Sequence, residues 1–449
     1  MCFVEARLAT TLERPTGDHR CHAGGHLLMS GAVNSSDGLG RRPAQAAIAQ
    51  RDLRILVLSY IFPSSAQPSA GLFVRERMFR VGRRVFIVVI APQPWFPLQG
   101  LLRLFRPKFR KMGVAREVDS GVEVFRPGFL SVPGILKRWD GLFLAISVYP
   151  IVRRIVRRHR ITLIDAHYGY PEGYAATLLG RWLKVPVSVT FRGKEGVQAA
   201  SSLRRPLRKA VVRASRVISV SEALRQVALG LGARPEKTVV VGNGVDLSKF
   251  SRENMGESRR TLNLPQGAKV LISVGALTER KGFHRVIECL PALRRIYPDL
   301  YFLAVGGASP EGDMSAALEE QVRSLGLSER VRFLGHVAPD ALKVPYSAAD
   351  VFVLATRYEG WANVFLEAMA CGLPVVTTDV GGNREVVVDD TLGTIVPFGD
   401  PGLLTRALRE AVATNWDRQA IVEYAKAFGW ERRIDELMPE LVRAARLGA

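Results

Sequence analysis

The sequence predicts an α/β protein made of two halves, each a parallel sheet covered by helices. Three observations predict it. Short apolar runs recur along the chain, with helical segments between most of them. The runs are nearly continuous in Val, Ile and Leu, as expected of strands buried on both faces. The series pauses at a polar, Gly- and Pro-containing stretch, 248–268, and then starts again. A chain of 449 residues is long enough for two or three domains with cores of their own.

Residues 1–50 are rich in Gly, Ala, Ser, Arg and Pro and hold no periodicity, so a disordered or non-native extension is expected, with Met29 as a later possible start. The first domain is expected over 51–247. It opens with Arg54–Tyr60, an apolar run that ends in a Pro/Ser/Gly loop. Further strands are expected at Val85–Ile90, Leu163–Ala166, Val187–Phe191, Val217–Val220 and Val239–Val241. Residues 248–268 read as a linker. The second domain, 269–425, repeats the plan with Lys269–Val274, Tyr301–Gly306, Val331–Leu334, Val351–Leu354, Val375–Thr378 and Thr394–Pro397. Each half thus has the strand count of a nucleotide-binding fold. From Trp416 onward the pattern is helical, and a C-terminal helix over 426–449 is expected to pack back toward the first domain.

The net charge is +21 and unevenly placed. Residues 51–250 carry 35 basic and 12 acidic residues, whereas 251–449 carry 23 and 26. Such asymmetry points to an anionic partner for the first half only. Leu102–Lys111, Pro150–Arg160 and Leu203–Arg213 mix basic and apolar residues at helical spacing, the composition of helices that lie on anionic membranes. No DNA- or RNA-binding module pattern appears, so nucleic acid is not an expected partner. The four cysteines are scattered without metal-ligand spacing, which suits a reducing compartment. No apolar run reaches the roughly 18 residues of a spanning helix, and no secretory h-region is present. A cytoplasmic protein, peripheral at the inner face of the membrane, is expected.

Two stretches carry chemistry. In "EGWANVFLEAMACGLPVV", Glu359 lies in a Gly-containing turn, and Glu367 lies inside a short helix that Asn363 is placed to cap and Gly372 to end. The helix start offers free N–H groups to an anion, phosphate above all. Carboxylates accept from hydroxyls, so two acids around an anion site suit a sugar nucleotide, with its sugar, diphosphate and ribose. In "SVGALTERKG", Arg280 and Lys281 follow a strand's carboxyl end, where open sheets bind ligands. A guanidinium fork and an ammonium both suit a diphosphate.

Together these stretches resemble the retaining glycosyltransferases of family 4, which have the two-domain GT-B fold. "VRFLGHV" fits the same pattern in the second half, as do "FPSSAQPSAGLFVRER", "APQPWFP", "HYGYPEGYAA", "VTFRGKE", "VISVSEAL" and "VGNGVD" in the first. The resemblance covers roughly 52–425. It implies that a nucleotide-diphosphate sugar is the co-substrate and that no cofactor or metal is needed. No DxD, GxGxxG, Walker A or HExxH motif is present. It implies that Arg280 and Lys281 hold the diphosphate, that Glu359 meets the donor sugar and that Glu367 takes the ribose hydroxyls. Val364 and Phe365 complete the phosphate site, His336 and Val337 lie beside the base, and Gly71 lets the first-domain loop approach the diphosphate. His167 and Arg192 stand on the acceptor side. With Glu359 they are the candidate catalytic residues; many relatives have His where this chain has Arg192, and an arginine, which is no base at ordinary pH, could hold an anionic acceptor or stabilise the leaving phosphate. The family's favoured mechanism is front-face, with the leaving diphosphate helping to take the acceptor proton. The expected activity is transfer of a sugar to a surface-polysaccharide or lipid-linked glycan; the alternative is a non-catalytic GT-B scaffold that binds nucleotide or glycan.

Overall fold

The computed structural model describes residues 50–447 except 69, 98, 106–112 and 310. The expectation of disorder for residues 1–49 and most of the basic cluster Leu102–Lys111 lie outside the described residues.

The first half is an eight-stranded sheet. Its strands are β1 (Arg54–Leu58), β2 (Phe86–Ile90), β4 (Arg116–Asp119), β5 (Val122–Phe125), β7 (Leu163–His167), β8 (Val187–Phe191), β9 (Arg216–Ser219) and β10 (Thr238–Val240), while β3 (Gln93–Trp95) and β6 (Gly128–Leu130) form a small sheet of their own. The order is β10-β9-β8-β7-β1-β2-β5-β4, parallel apart from the β4–β5 hairpin. The buried apolar runs became strands as expected, whereas β3 to β6 were not anticipated. They are short, partly polar and only half-buried. The hairpin turns at Ser120 and Gly121, both at positive φ (49° and 83°), the geometry of a tight two-residue hairpin.

The second half has β11 (Lys269–Val274), β12 (Leu300–Val305), β13 (Val331–Gly335), β14 (Val351–Leu354), β15 (Val375–Thr378) and β16 (Gly393–Val396), all parallel, in the order β13-β12-β11-β14-β15-β16. This is the doubly wound order, whose direction reverses between β11 and β14. In the first sheet the corresponding reversal lies between β1 and β7. Ligands bind outside the carboxyl ends of strands at such points, and the two reversal points supply the loops of one cleft.

The stretch 248–268 is more than a linker. Asn254 caps a helix over Met255–Thr261 by accepting from the Glu257 N–H at 3.0 Å. The buried Arg259 donates to the Ala348 carbonyl and pairs with Asp350, both at 3.0 Å.

Several contacts join the halves. The Glu385 carboxylate accepts from the Glu222 and Ala223 N–H groups (2.7 and 3.1 Å), so the second half supplies a carboxylate to the start of a first-half helix, Glu222–Gly230. The Tyr358 hydroxyl donates to the Gly193 carbonyl. The helix Trp430–Arg446 crosses back to the first half, where Ile434, Leu437, Met438 and Leu441 share a core with Ile55, Val57, Val74 and Met78.

The basic helix over Asp140–His159 corrects one expectation. Val152 and Ile155 are buried in the first-half core, and Arg153, Arg154, Arg157 and Arg158 face out. The helix Arg204–Arg213 does the same, burying Leu207 and Val211. Most of their apolar residues pack on the protein, so what they offer a surface is chiefly arginine, with Ile146 and Val212 the exposed apolar side chains among it.

Candidate functional site

Between the two reversal points lies a cavity of about 740 Å³. Of the residues expected at the site, Arg192, Arg280, Lys281, Glu359 and Val364 line it.

On the second-half wall, Glu359 is nearly buried, at 7% exposure. Its Oε1 accepts from Lys281 Nζ at 2.6 Å, Arg280 Nη1 at 3.0 Å and Thr356 Oγ1 at 3.2 Å. Arg280 also pairs with Glu311 at 2.9 Å and donates to the Tyr358 carbonyl at 3.0 Å. Two cations and two carboxylates thus alternate along this wall. Gly381 fixes the Glu359 loop: it sits at φ 55°, and a Cβ there would lie 1.7 Å from the Glu359 carbonyl oxygen.

The helix Asn363–Ala370 begins one residue earlier than expected, and Asn363 does not cap it. The Asn363 Oδ1 instead accepts from Asn243 Nδ2 at 3.0 Å. Val364 faces the cavity, but the Phe365 side chain is buried against Phe352, and its N–H donates to the Ala362 carbonyl at 3.0 Å. Glu367 does not line the cavity. It is half-buried and accepts from the Tyr346 hydroxyl at 3.1 Å, and burial raises its pKa to about 7. His336 and Val337 follow β13 outside the cavity lining, His336 exposed and Val337 half-buried against the core.

On the first-half wall, Arg192 follows β8 and is only 8% exposed. Its Nε and Nη2 lie 3.0 and 2.9 Å from His167 Nδ1, and its Nη1 donates to Asn243 Oδ1 at 3.1 Å. The guanidinium stands over the Phe73 ring, 5.2 Å from its centre. Burial lowers its pKa to about 10, which leaves it a cation at neutral pH.

His167 does not reach the cavity. It is fully buried, with Nε2 3.2 Å from Asp165 Oδ2 and Nδ1 facing Arg192. Burial, then the Arg192 charge, lowers its pKa to about 4. A neutral imidazole that accepts at Nδ1 and carries its proton on Nε2 toward Asp165 fits both neighbours. His167 therefore supports Arg192 from behind the cavity wall. Asp165, His167, Arg192, Asn243 and Asn363 form one polar chain from the core of the first sheet to the start of a second-half helix.

Gly71 is also corrected. It lies at φ 69°, and a Cβ there would fall 2.2 Å from the Ile61 carbonyl oxygen. What it allows is close approach of the chain's own Ile61 to the start of the helix Leu72–Gly82.

Asn243, Lys194 and Glu311 were not assigned from the sequence. Asn243 and Lys194 lie within "VGNGVD" and "FRGKE", but an Asn between two glycines and a loop lysine carry no signal without the fold. Glu311 stands in a loop with no motif.

The chain matches two family models: residues 254–428 fit glycosyl transferases group 1, and residues 112–249 fit glycosyltransferase family 4. It is 32% identical over 316 residues to the D-inositol 3-phosphate glycosyltransferase of Corynebacterium urealyticum, a match covering 65% of this chain and 74% of that protein. Identity is 28% over 339 residues to the putative teichuronic acid biosynthesis glycosyltransferase TuaC of Bacillus subtilis, covering 74% and 82%. To the D-inositol 3-phosphate glycosyltransferase of Geodermatophilus obscurus it is 35% over 238 residues, about half of each chain (51% and 52%). Among solved structures, sucrose-phosphate synthase from Thermosynechococcus elongatus superposes with a TM-score of 0.67 at 21% identity, covering 86% of this chain and 97% of that one. Anabaena HepE in complex with UDP gives 0.64 at 22%, covering 86% and 98%. With both halves matched in sequence and in fold, the chain belongs to glycosyltransferase family 4 and has its two-domain GT-B fold.

Proposed function

We propose that this glycosyltransferase moves a sugar, with retention at the anomeric carbon and without a metal ion, from a nucleoside diphosphate donor to a surface-polysaccharide or lipid-linked glycan acceptor. The observation that carries the reading is the Arg280–Lys281–Glu359 cluster at the second sheet's reversal point. An incoming diphosphate would take the cations over from Glu359 and Glu311 and leave the Glu359 carboxylate beside the donor sugar. As the sugar leaves, negative charge grows on the diphosphate, and two cations already held at the cleft wall stabilise it. The departing phosphate oxygen can then take the acceptor hydroxyl's proton, so no wall residue has to act as a base. The names of the curated relatives support glycosyl transfer, and the solved UDP complex of HepE supports a nucleotide-sugar donor.

The arginine faces of Asp140–His159 and Arg204–Arg213 suit attachment to an anionic membrane. With most of their apolar residues packed inward, the attachment is chiefly electrostatic, at about 1 kcal/mol per basic residue near the surface. Among the described residues no helix is long and apolar enough to cross a membrane.

The first test is a thermal-shift panel of UDP, GDP and ADP, each with and without EDTA. A ligand bound only by the folded state raises Tm. A shift with one nucleotide, insensitive to EDTA, is expected, and no shift with any of them would favour a scaffold. Product stereochemistry by NMR tests retention. Flotation with anionic vesicles at low salt tests the membrane reading, which fails if the protein stays at the bottom of the gradient.

A further inference from the structure

The cations of the cavity fall into two kinds. Those on the second-half wall are already paired: Lys281 with Glu359, and Arg280 with Glu359 and Glu311. The first-half wall contributes Arg126, Arg192 and Lys194 to the lining and no carboxylate. Arg126 is neutralised by Glu117 and donates to the Pro63 carbonyl. Arg192 is different, and Lys194 is only loosely paired.

Arg192 touches only neutral acceptors, the imidazole of His167 and the amide oxygen of Asn243. The nearby Glu195 carboxylate is occupied by the Gly169, Arg192 and Gly193 N–H groups, at 2.9, 3.1 and 2.8 Å. Asp165 lies behind His167. Three of the five guanidinium N–H groups have partners, so two stay uncommitted in a side chain that lines the cavity. Two residues on, Lys194 is half-exposed, and its nearest carboxylate is Glu311, at 3.9 Å. A nearly buried cation with no carboxylate against it is costly and attracts an anion from the cleft.

We propose that the acceptor carries an anionic group, a phosphate or a carboxylate, and that Arg192 and Lys194 receive it on the first-half wall. The assignment rests on the donor reading above, in which Arg280 and Lys281 serve the diphosphate. It gives Arg192 a role suited to a cation that cannot act as a base. His167 and Asn243 hold the guanidinium fork in place, and the fork matches a phosphate or carboxylate in two-point contact.

The test uses the full-length protein saturated with whichever of UDP, GDP and ADP binds best. Glucose, glucose 6-phosphate and glucuronate are then titrated by calorimetry. The anions are expected to bind roughly tenfold or more tighter than glucose, and whichever binds tighter identifies phosphate or carboxylate. Lys194→Gln and Arg192→Gln should each lower that preference several-fold, and Arg192→Lys should keep part of it. Lys194 is half-exposed, so its variant folds even if Arg192→Gln does not. The proposal is overturned if glucose binds as well as the anions, if neither anion binds, or if both Gln variants keep the full preference. A tenfold loss of nucleotide affinity in Arg192→Gln, with the anion preference intact, would reassign Arg192 to the diphosphate. A protein that binds none of the three nucleotides loses the donor reading and the proposal with it. One that binds a nucleotide without preferring an anion loses only the proposal.

Discussion

Glu359 has two tasks that pull in opposite directions. It is the counter-ion of Lys281 and Arg280, and in the proposed reaction it is the carboxylate that faces the donor sugar. Glu359→Gln should therefore bind nucleoside diphosphate several-fold more tightly, because two cations lose their internal partner. The same variant should lose roughly a hundredfold or more in transfer rate. Calorimetry and initial rates check the two halves separately, and wild-type turnover in the variant would remove Glu359 from the chemistry. A second residue gives a pH signature. Glu172 is buried, accepts from the Tyr60 N–H at 3.0 Å, and has its pKa raised to about 8 by burial. Its folded form holds a proton that the unfolded chain releases near pH 4.5. The stability it contributes is complete below that pH and is lost as pH rises toward 8. Glu172→Gln should match wild type in Tm near pH 5 and exceed it above pH 8, as read by thermal melts across that range. His167 shifts the other way. Its folded pKa of about 4 lies below the usual 6.5, so its contribution is complete above pH 6.5 and is lost as pH falls toward 4.

The elements that were easy to see in the sequence are those buried on both faces. The strand Val187–Phe191 runs between two neighbours in the middle of its sheet, so every side chain had to be compatible with a core. The β4–β5 hairpin lies at the sheet's edge with one face half open, and its Glu and Asp residues hid it. The clustering of Arg280, Lys281 and Glu359 at the cavity was legible because all three follow the carboxyl ends of strands at a reversal point, where such sheets form clefts. His167 was misplaced because the end of a strand is either cleft or core, and its burial depends on Arg192, which follows the next strand. Backbone constraints are a sharper handle on the loops. Gly381→Ala places an L-residue at positive φ, at about 1–2 kcal/mol, and drives its Cβ into the Glu359 carbonyl. The loop must move, so transfer should fall at least tenfold with a modest drop in Tm. Activity that falls no further than the lost stability explains would detach Gly381 from the positioning of Glu359.

At the scale of the molecule, two doubly wound halves meet at a cleft, and the helix Trp430–Arg446 fastens them. Arg216 pairs with Glu440 there, and Arg84 pairs with Asp435 and Glu431. Ending the chain after Ala427 would remove Trp430, Ile434, Leu437, Met438 and Leu441 from the first-half core. Each fully buried large side chain is worth about 1.5–3 kcal/mol, against a typical total of about 5–15 kcal/mol. The shortened protein should be insoluble or melt far below wild type, and an unchanged melting curve would show that the helix is dispensable. The crossing also constrains how the protein can be made. Residues 50–247 emerge from the ribosome well before the helix that covers their sheet, so the first half must wait, with Ile55, Val74 and Met78 uncovered, until the second half has been synthesised. A boundary drawn on sequence between the two halves therefore does not separate two independently folding units.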